Sequence, residues 1–71
     1  MTAILVPHLA EDALRQSAIP AIRRLTLNED ETEVVLQGVV SSYYMKQLAQ
    51  EAVLPVLGQR KLRNLIAVVK E

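Results

Sequence analysis

Residues 33–42 read EVVLQGVVSS, a stretch rich in β-branched residues that ends in two serines. β-Branched side chains suit a pleated, half-buried backbone, so we predict a strand over residues 33–40. Serine is a favoured helix N-cap because its hydroxyl accepts a hydrogen bond from an unpaired backbone N–H. A helix is therefore expected to begin directly after this strand, at Ser41 and Ser42.

The second half of the chain continues as that helix and a further strand. Pro55 lacks a backbone N–H and should loosen the last turn of a helix over residues 43–57, and Gly58 should end it. Residues 61–70 alternate again and predict a strand. Helical spacing assigns one face of the helix to the core, with Tyr43 left exposed. That core face is Tyr44, Leu48, Ala52 and Val56, flanked by Met45, Ala49 and Val53.

The first half supplies a helix and the partner strand. Apolar spacing predicts a helix over residues 7–18, which Pro20 prevents from continuing. Residues 21–28 alternate as a strand, and the polar residues 28–32 connect it to the next strand as a hairpin. The order is αββαβ. We expect an α+β fold in which a three-stranded mixed sheet carries two helices on one face.

Length and composition bound the class of protein. The chain has 71 residues, of which 51% are apolar, with eight basic and eight acidic side chains and no cysteine. We expect one domain over residues 1–71, with a core from about residue 9 to residue 69. The short apolar run at residues 3–6 does not form a secretion signal. The chain as given is expected in the cytoplasm, or in the envelope if it belongs to a longer protein.

The two faces of the sheet should differ in what they contact. Val34, Leu36, Gly38 and Val40 share one face, which we assign to the helices because Gly38 would allow a close approach. The opposite face then carries a contiguous apolar set that a single domain would leave in water. We expect a second copy or another chain to cover it. The candidate interface is Val35, Val39, Leu65, Ala67 and Val69.

This arrangement resembles the BON domain, a family named for bacterial osmotic-shock and nodulation proteins. The resemblance rests on the strand at residues 34–40, on the serines that lead into the helix, and on the closing strand. Gly58, Leu62, Asn64, Ile66 and Val68 fit that last part. The loop at residues 28–32 lacks the glycine that the family often has there. The resemblance implies a binding module for phospholipid surfaces or envelope components, without catalytic residues.

A basic end offers a second candidate site. Arg23 and Arg24 should approach Ser41 and Ser42, where two guanidinium groups and free N–H groups suit a phosphate, including that of a lipid headgroup. The alternative is that these arginines pair with carboxylates or face water. At the other end of the sheet, the basic residues at 60, 61 and 63 should lie near the acidic loop and neutralise it.

The remaining polar residues give no support for catalysis. His8 is the single histidine and has no cysteine or second histidine to complete a metal site. The acidic residues at 29–33 lack the spacing of a calcium loop and indicate a solvated turn. We expect no enzyme activity, no metal and no cofactor. We also expect no nucleic-acid partner, because a positive excess and stacking aromatic pairs are missing.

Overall fold

The computed structural model describes residues 9–70 and has the predicted α+β architecture, with three helices rather than two. The predictions for His8 and for a helix start at Pro7 concern residues outside the described range. The helices are α1 (Leu9–Arg15), α2 (Pro20–Arg23) and α3 (Tyr43–Val53), which a 3₁₀ turn (Leu54–Val56) extends. The strands are β1 (Thr26–Glu29), β2 (Glu33–Gln37), β3 (Val39–Val40), β4 (Lys61–Asn64) and β5 (Ala67–Val68).

The sheet is mixed, as predicted, and its two long strands are each interrupted once. β2 pairs with β1 antiparallel and with β4 parallel, and β3 pairs with β5 parallel. The register of the parallel pairs is the same before and after Gly38. The backbone N–H of Ala67 also donates to the Gly38 carbonyl at 2.9 Å. β3 and β5 therefore continue β2 and β4 beyond a local kink, so each predicted long strand is one structural unit.

Gly38 makes the kink sterically feasible. Its φ is +135°, a backbone conformation that side chains with a Cβ rarely adopt. A Cβ at this position would lie 2.6 Å from Cδ2 of the buried Leu25. The part of the chain that packs closely against Gly38 is thus the segment between α2 and β1. The prediction that a helix approaches Gly38 closely is therefore wrong.

The core lies between the helices and one face of the sheet. Val34, Leu36 and Val40 are buried there, which confirms the predicted helix-facing side of the central strand. Leu62 and Val68 are half-buried around Ile66, as their alternation predicted. The fully buried apolar set is Ala10, Leu14, Ile22, Leu25, Val34, Leu36, Val40, Ala49, Val53 and Ile66.

The boundaries of α1 and β1 differ from the prediction. α1 ends at Arg15 instead of residue 18, because the Ser17 hydroxyl accepts the Ile19 N–H at 3.1 Å and so favours a turn. Residues 20–23 form α2 rather than the start of the strand. Pro20 stands at the first position of α2, where its fixed φ suits a helix and its missing N–H costs no hydrogen bond.

The buried stripe of α3 is rotated by one position from the predicted one. Ala49 and Val53 are completely buried, and Met45 is half-buried on the same side. Tyr44 is 70% exposed, so its assignment to the core is wrong. α3 packs against α1, and this packing determines which side of α3 faces inward. Leu48 then lies at the boundary of the core.

Both ends of α3 follow the prediction. The Ser42 hydroxyl accepts the Met45 N–H at 3.2 Å as an N-cap. At the other end the α-helix changes to a 3₁₀ turn around Pro55, which is the expected loosening of the last turn. Gly58 follows with a φ of +65°, the left-handed conformation that commonly ends a helix.

Candidate binding surface

The outer face of the sheet, turned away from the helices, exposes most of the predicted interface residues. Val39 is 62% exposed, Leu65 49% and Val69 54%, and Ala67 is also exposed. Large aliphatic side chains in water carry a free-energy cost that a partner surface would remove. The four residues Val39, Leu65, Ala67 and Val69 are called the apolar patch below.

Val35 does not belong to the apolar patch. It is half-buried, and the register places Asn28 beside it on one strand and Arg63 on the other. Along the central strand, the exposed Gln37 lies between Val35 and Val39. The patch is therefore confined to the end of the sheet formed by β3 and β5. This is called the patch end, and the opposite end, with the loop at residues 30–32, is called the loop end.

The patch also borders an incompletely paired strand. Within residues 9–70, β3 has β5 as its single strand neighbour, because β1 pairs with β2 and begins only at Thr26. The side of β3 that faces away from β5 thus lacks a hydrogen-bonded strand. An unpaired strand edge beside exposed apolar side chains is a common feature of surfaces that bind another chain.

The predicted anion site is only partly assembled. The Arg23 guanidinium donates to the Ser17 carbonyl at 2.8 Å, and the Ser42 hydroxyl is occupied as the α3 N-cap. The Ser41 hydroxyl lies 4.0 Å from the Met45 sulfur. Arg24 is exposed, and its side chain has no hydrogen bond or ion pair within the described residues. Arg24 is thus the member of the set that remains available to an anion.

Two tyrosines add exposed aromatic surface at the patch end. Tyr43 is 68% exposed, as predicted, and Tyr44 is 70% exposed. Both stand in the first turn of α3, directly after β3 and the two serines. The patch end therefore combines aliphatic, aromatic and cationic side chains.

The prediction that basic residues neutralise the acidic loop is confirmed at the loop end. Arg60 forms an ion pair with Glu29 at 2.8 Å, and the Glu29 side chain is only 1% exposed. Arg63 lies 3.9 Å from Glu33. Lys61 is exposed. The expectation of a solvated acidic turn is therefore wrong for Glu29, whose carboxylate is buried.

Glu29 connects two helices as well as balancing a charge. Its carboxylate accepts the backbone N–H groups of Ala10 at 3.3 Å and Glu11 at 3.0 Å, at the start of α1. Arg60 in turn donates to the carbonyls of Val56 at 2.8 Å and Leu57 at 3.0 Å, at the end of the 3₁₀ turn. The sequence predicts that Arg60 lies near the acidic loop, but it does not indicate that Glu29 is its partner or that the pair contacts two helical elements, because each residue has charged neighbours.

Hydrogen bonding keeps the Glu29 carboxylate ionised. Burial alone raises the pKa of a carboxylic acid, but the Arg60 guanidinium and the two N–H groups of α1 outweigh that effect. The pKa of Glu29 therefore lies below its ordinary value of 4.5. Asp30 also has a lowered pKa, because its carboxylate accepts the N–H groups of Thr32 and Glu33 and the Thr32 hydroxyl.

The described residues offer no obvious metal centre and no membrane-spanning element. Within residues 9–70 no three His, Asp or Glu side chains are grouped so that they could hold a metal ion. None of the helices in this range is long and apolar enough to cross a membrane. The same residues enclose no pocket for a small ligand. The notable features of this part of the chain are thus its surfaces.

Comparison of the chain with protein-family models, with curated proteins and with solved structures finds no match. The surfaces described above are therefore the basis on which a function can be inferred. Among them, the apolar patch is notable because three of its four side chains are large, apolar and about half exposed or more.

Proposed function

We propose that the protein is a non-catalytic interaction module that self-associates through the apolar patch. The observation that carries this proposal is the exposure of Val39, Leu65 and Val69 together on one end of the outer sheet face. Soluble monomers rarely expose contiguous apolar surface without a use for it, and such patches mark interaction sites. The resemblance to the BON domain, a binding module, points in the same direction.

The patch needs its surroundings to form a stable contact. A typical specific interface buries about 800 Å² on each partner, more than four aliphatic side chains of this size provide. The contact must therefore include the rim of the patch. The rim includes two cations. Arg24 lies near Gly38 because the next residue, Leu25, packs against it. Lys70 directly follows Val69.

The test is the mass of the protein in solution from micromolar to millimolar concentrations, measured by analytical ultracentrifugation. We expect the wild-type mass to rise with concentration, and Leu65→Glu and Val39→Glu to suppress the rise. Each 1.4 kcal/mol lost from the contact weakens association about tenfold, and burying an unpaired carboxylate costs at least that much. We expect each variant to raise the dissociation constant tenfold or more.

The matched control is Gln47→Glu, which adds the same charge at an exposed position in the middle of α3, away from both ends of the sheet. This variant should associate like the wild type. A wild-type protein that remains monomeric at millimolar concentration would refute self-association. Equal weakening by Gln47→Glu would remove the apolar patch from the contact.

Peripheral binding to anionic phospholipid is a second candidate, favoured by the exposed Tyr43 and Tyr44 and by the exposed Arg24 at the same end of the molecule. Tyrosines at the headgroup level and a nearby guanidinium suit a lipid surface with negative charge. Arg24→Ala should abolish salt-sensitive binding to vesicles that contain phosphatidylserine, as measured by co-sedimentation. Lys61→Ala, which removes an exposed cation at the loop end, is the control and should bind unchanged. Equal binding to neutral vesicles would exclude this function.

A further inference from the structure

Within residues 9–70 the two ends of the molecule carry opposite charges, although the whole chain is neutral. At the patch end stand the cations Arg24 and Lys70, and the carboxylates of residues 9–70 all lie elsewhere. Asp12 lies in the first turn of α1, which begins at the loop end, and the neighbouring Glu11 carboxylate is 4.0 Å from the Arg15 guanidinium. Asp30 and Glu31 are exposed in the loop itself. Among the described residues the loop end is therefore acidic at its surface: Glu29 neutralises Arg60, Arg63 lies near Glu33, and Lys61 is outnumbered by Asp12, Asp30 and Glu31.

The loop end also exposes apolar side chains. Leu9 is 48% exposed and Leu54 is 46% exposed. They belong to the start of α1 and the start of the 3₁₀ turn, two elements that contact each other and that Glu29 and Arg60 hold together. Each end of the molecule thus offers apolar surface with charged neighbours, and the charges at the two ends are of opposite sign.

This distribution disfavours a contact in which two patches face each other across a two-fold axis. In such a contact both copies present the same rim, so Arg24 and Lys70 would meet a surface that holds cations and none of the carboxylates of residues 9–70. Like charges brought together at an interface disfavour that contact. The loop end of a second copy avoids this cost and presents carboxylates to the cationic rim.

We infer that the apolar patch of one copy docks on the loop end of a second copy, so that molecules associate head to tail. This inference rests on the proposed function, since it names the partner surface of the same patch. A head-to-tail contact leaves one patch and one loop end unoccupied at the two ends of each assembly. Assemblies therefore grow beyond a dimer as concentration rises, and added salt weakens them because charges contribute to the contact.

The experiment combines two variants that each block one end. Leu65→Glu places a carboxylate in the patch, where it would face the acidic loop end of the next copy. Leu54→Lys places an ammonium at the loop end, where it would face the cationic rim. We expect each variant alone to be monomeric at concentrations where the wild type exceeds the mass of a dimer. An equimolar mixture should form a dimer with one copy of each variant and grow no further.

Glu31→Lys is a second variant that reverses charge at the loop end and does not alter the apolar surface. It should weaken wild-type association and should also form the mixed dimer with Leu65→Glu. The unfolding temperature of each variant verifies that its fold is intact.

The outcomes separate this inference from the proposed function. If Leu54→Lys and Glu31→Lys associate like the wild type, and the wild-type mass stops at a dimer, the patches pair with each other. The head-to-tail contact is then wrong while the apolar patch remains the interface. A wild type that is monomeric at every concentration overturns both proposals.

Discussion

Glu29 shows how one buried charge can organise a small fold. Its carboxylate receives an ion pair from Arg60 at 2.8 Å and two backbone N–H groups from the start of α1. The unpaired N–H groups at a helix start carry partial positive charge, so an anion there is stabilising. Arg60 is a cation that donates hydrogen bonds to the carbonyls at the end of the 3₁₀ turn, where the partial charge is negative. The pair therefore holds the termini of two helical elements to the sheet.

Replacing Glu29 with glutamine should destabilise the protein considerably. The change retains the size of the side chain but leaves Arg60 as a largely buried cation without a counter-ion. Removing one partner of a buried pair costs about 3–5 kcal/mol, and we expect the lower value because the Arg60 side chain is 13% exposed. Urea unfolding measures the change in the free energy of unfolding.

Glu31→Gln is the matched control for this experiment. It makes the same chemical change in the same loop, at a carboxylate that is exposed. We expect an effect within about 0.5 kcal/mol, as is usual for surface substitutions. Similar losses for both variants would mean that the burial of Glu29 has no special importance.

At the level of elements, α3 is the part of the fold that its own sequence determines most fully. The Ser42 hydroxyl caps its start, Pro55 changes its last turn to a 3₁₀ turn, and Gly58 ends it. Each of these effects acts within a few residues, so the local sequence is sufficient to predict it. The alternation that separates the helix-facing and outer residues of the strands is local in the same sense.

Other elements could not be predicted because their causes are distant in the chain. α2 is stabilised by Arg15, whose guanidinium donates to the carbonyls of Arg23 at 2.8 Å and Leu25 at 2.9 Å. The rotation of α3 that exposes Tyr44 depends on packing against α1. The partial assembly of the anion site follows from the bond of Arg23 to Ser17. Such contacts are decided by the tertiary fold.

The cap of α3 can be tested with two adjacent serines. Ser42→Ala should lower the free energy of unfolding by about 1 kcal/mol, because the Met45 N–H loses its acceptor. Ser41→Ala should change it much less, since the Ser41 hydroxyl contacts only the Met45 sulfur at 4.0 Å. Both values come from urea unfolding. A larger loss for Ser41→Ala would move the start of the helix by one residue.

For the whole molecule, the arrangement of charge is more informative than the net charge. Equal numbers of acidic and basic residues give no overall field, yet the patch end is cationic and the loop end acidic. A neutral protein with separated charges has little long-range repulsion between copies and retains attraction between opposite ends. Burial of the exposed apolar side chains at both ends would add to that attraction and so favour self-association.

The stability of the whole molecule should fall with acid in a defined pH range. Glu29 and Asp30 both have a folded-state pKa below their ordinary values of 4.5 and 3.8. Below those ordinary values the unfolded chain binds protons that the folded protein does not, so acid favours unfolding. The stabilisation that these two ionised carboxylates provide is complete at neutral pH and begins to decrease near pH 4.5. It is lost as the pH falls through their pKa values in the folded protein.

Urea unfolding of the wild type and of Glu29→Gln, repeated from neutral to acid pH, measures this dependence. We expect the free energy of unfolding to decline less for Glu29→Gln, because the variant no longer titrates at that position. Asp30→Asn, which alters an exposed carboxylate, should remove a smaller part of the decline, since solvent screens its hydrogen bonds. Parallel curves for the wild type and Glu29→Gln would show that Glu29 is not the group whose protonation unfolds the protein.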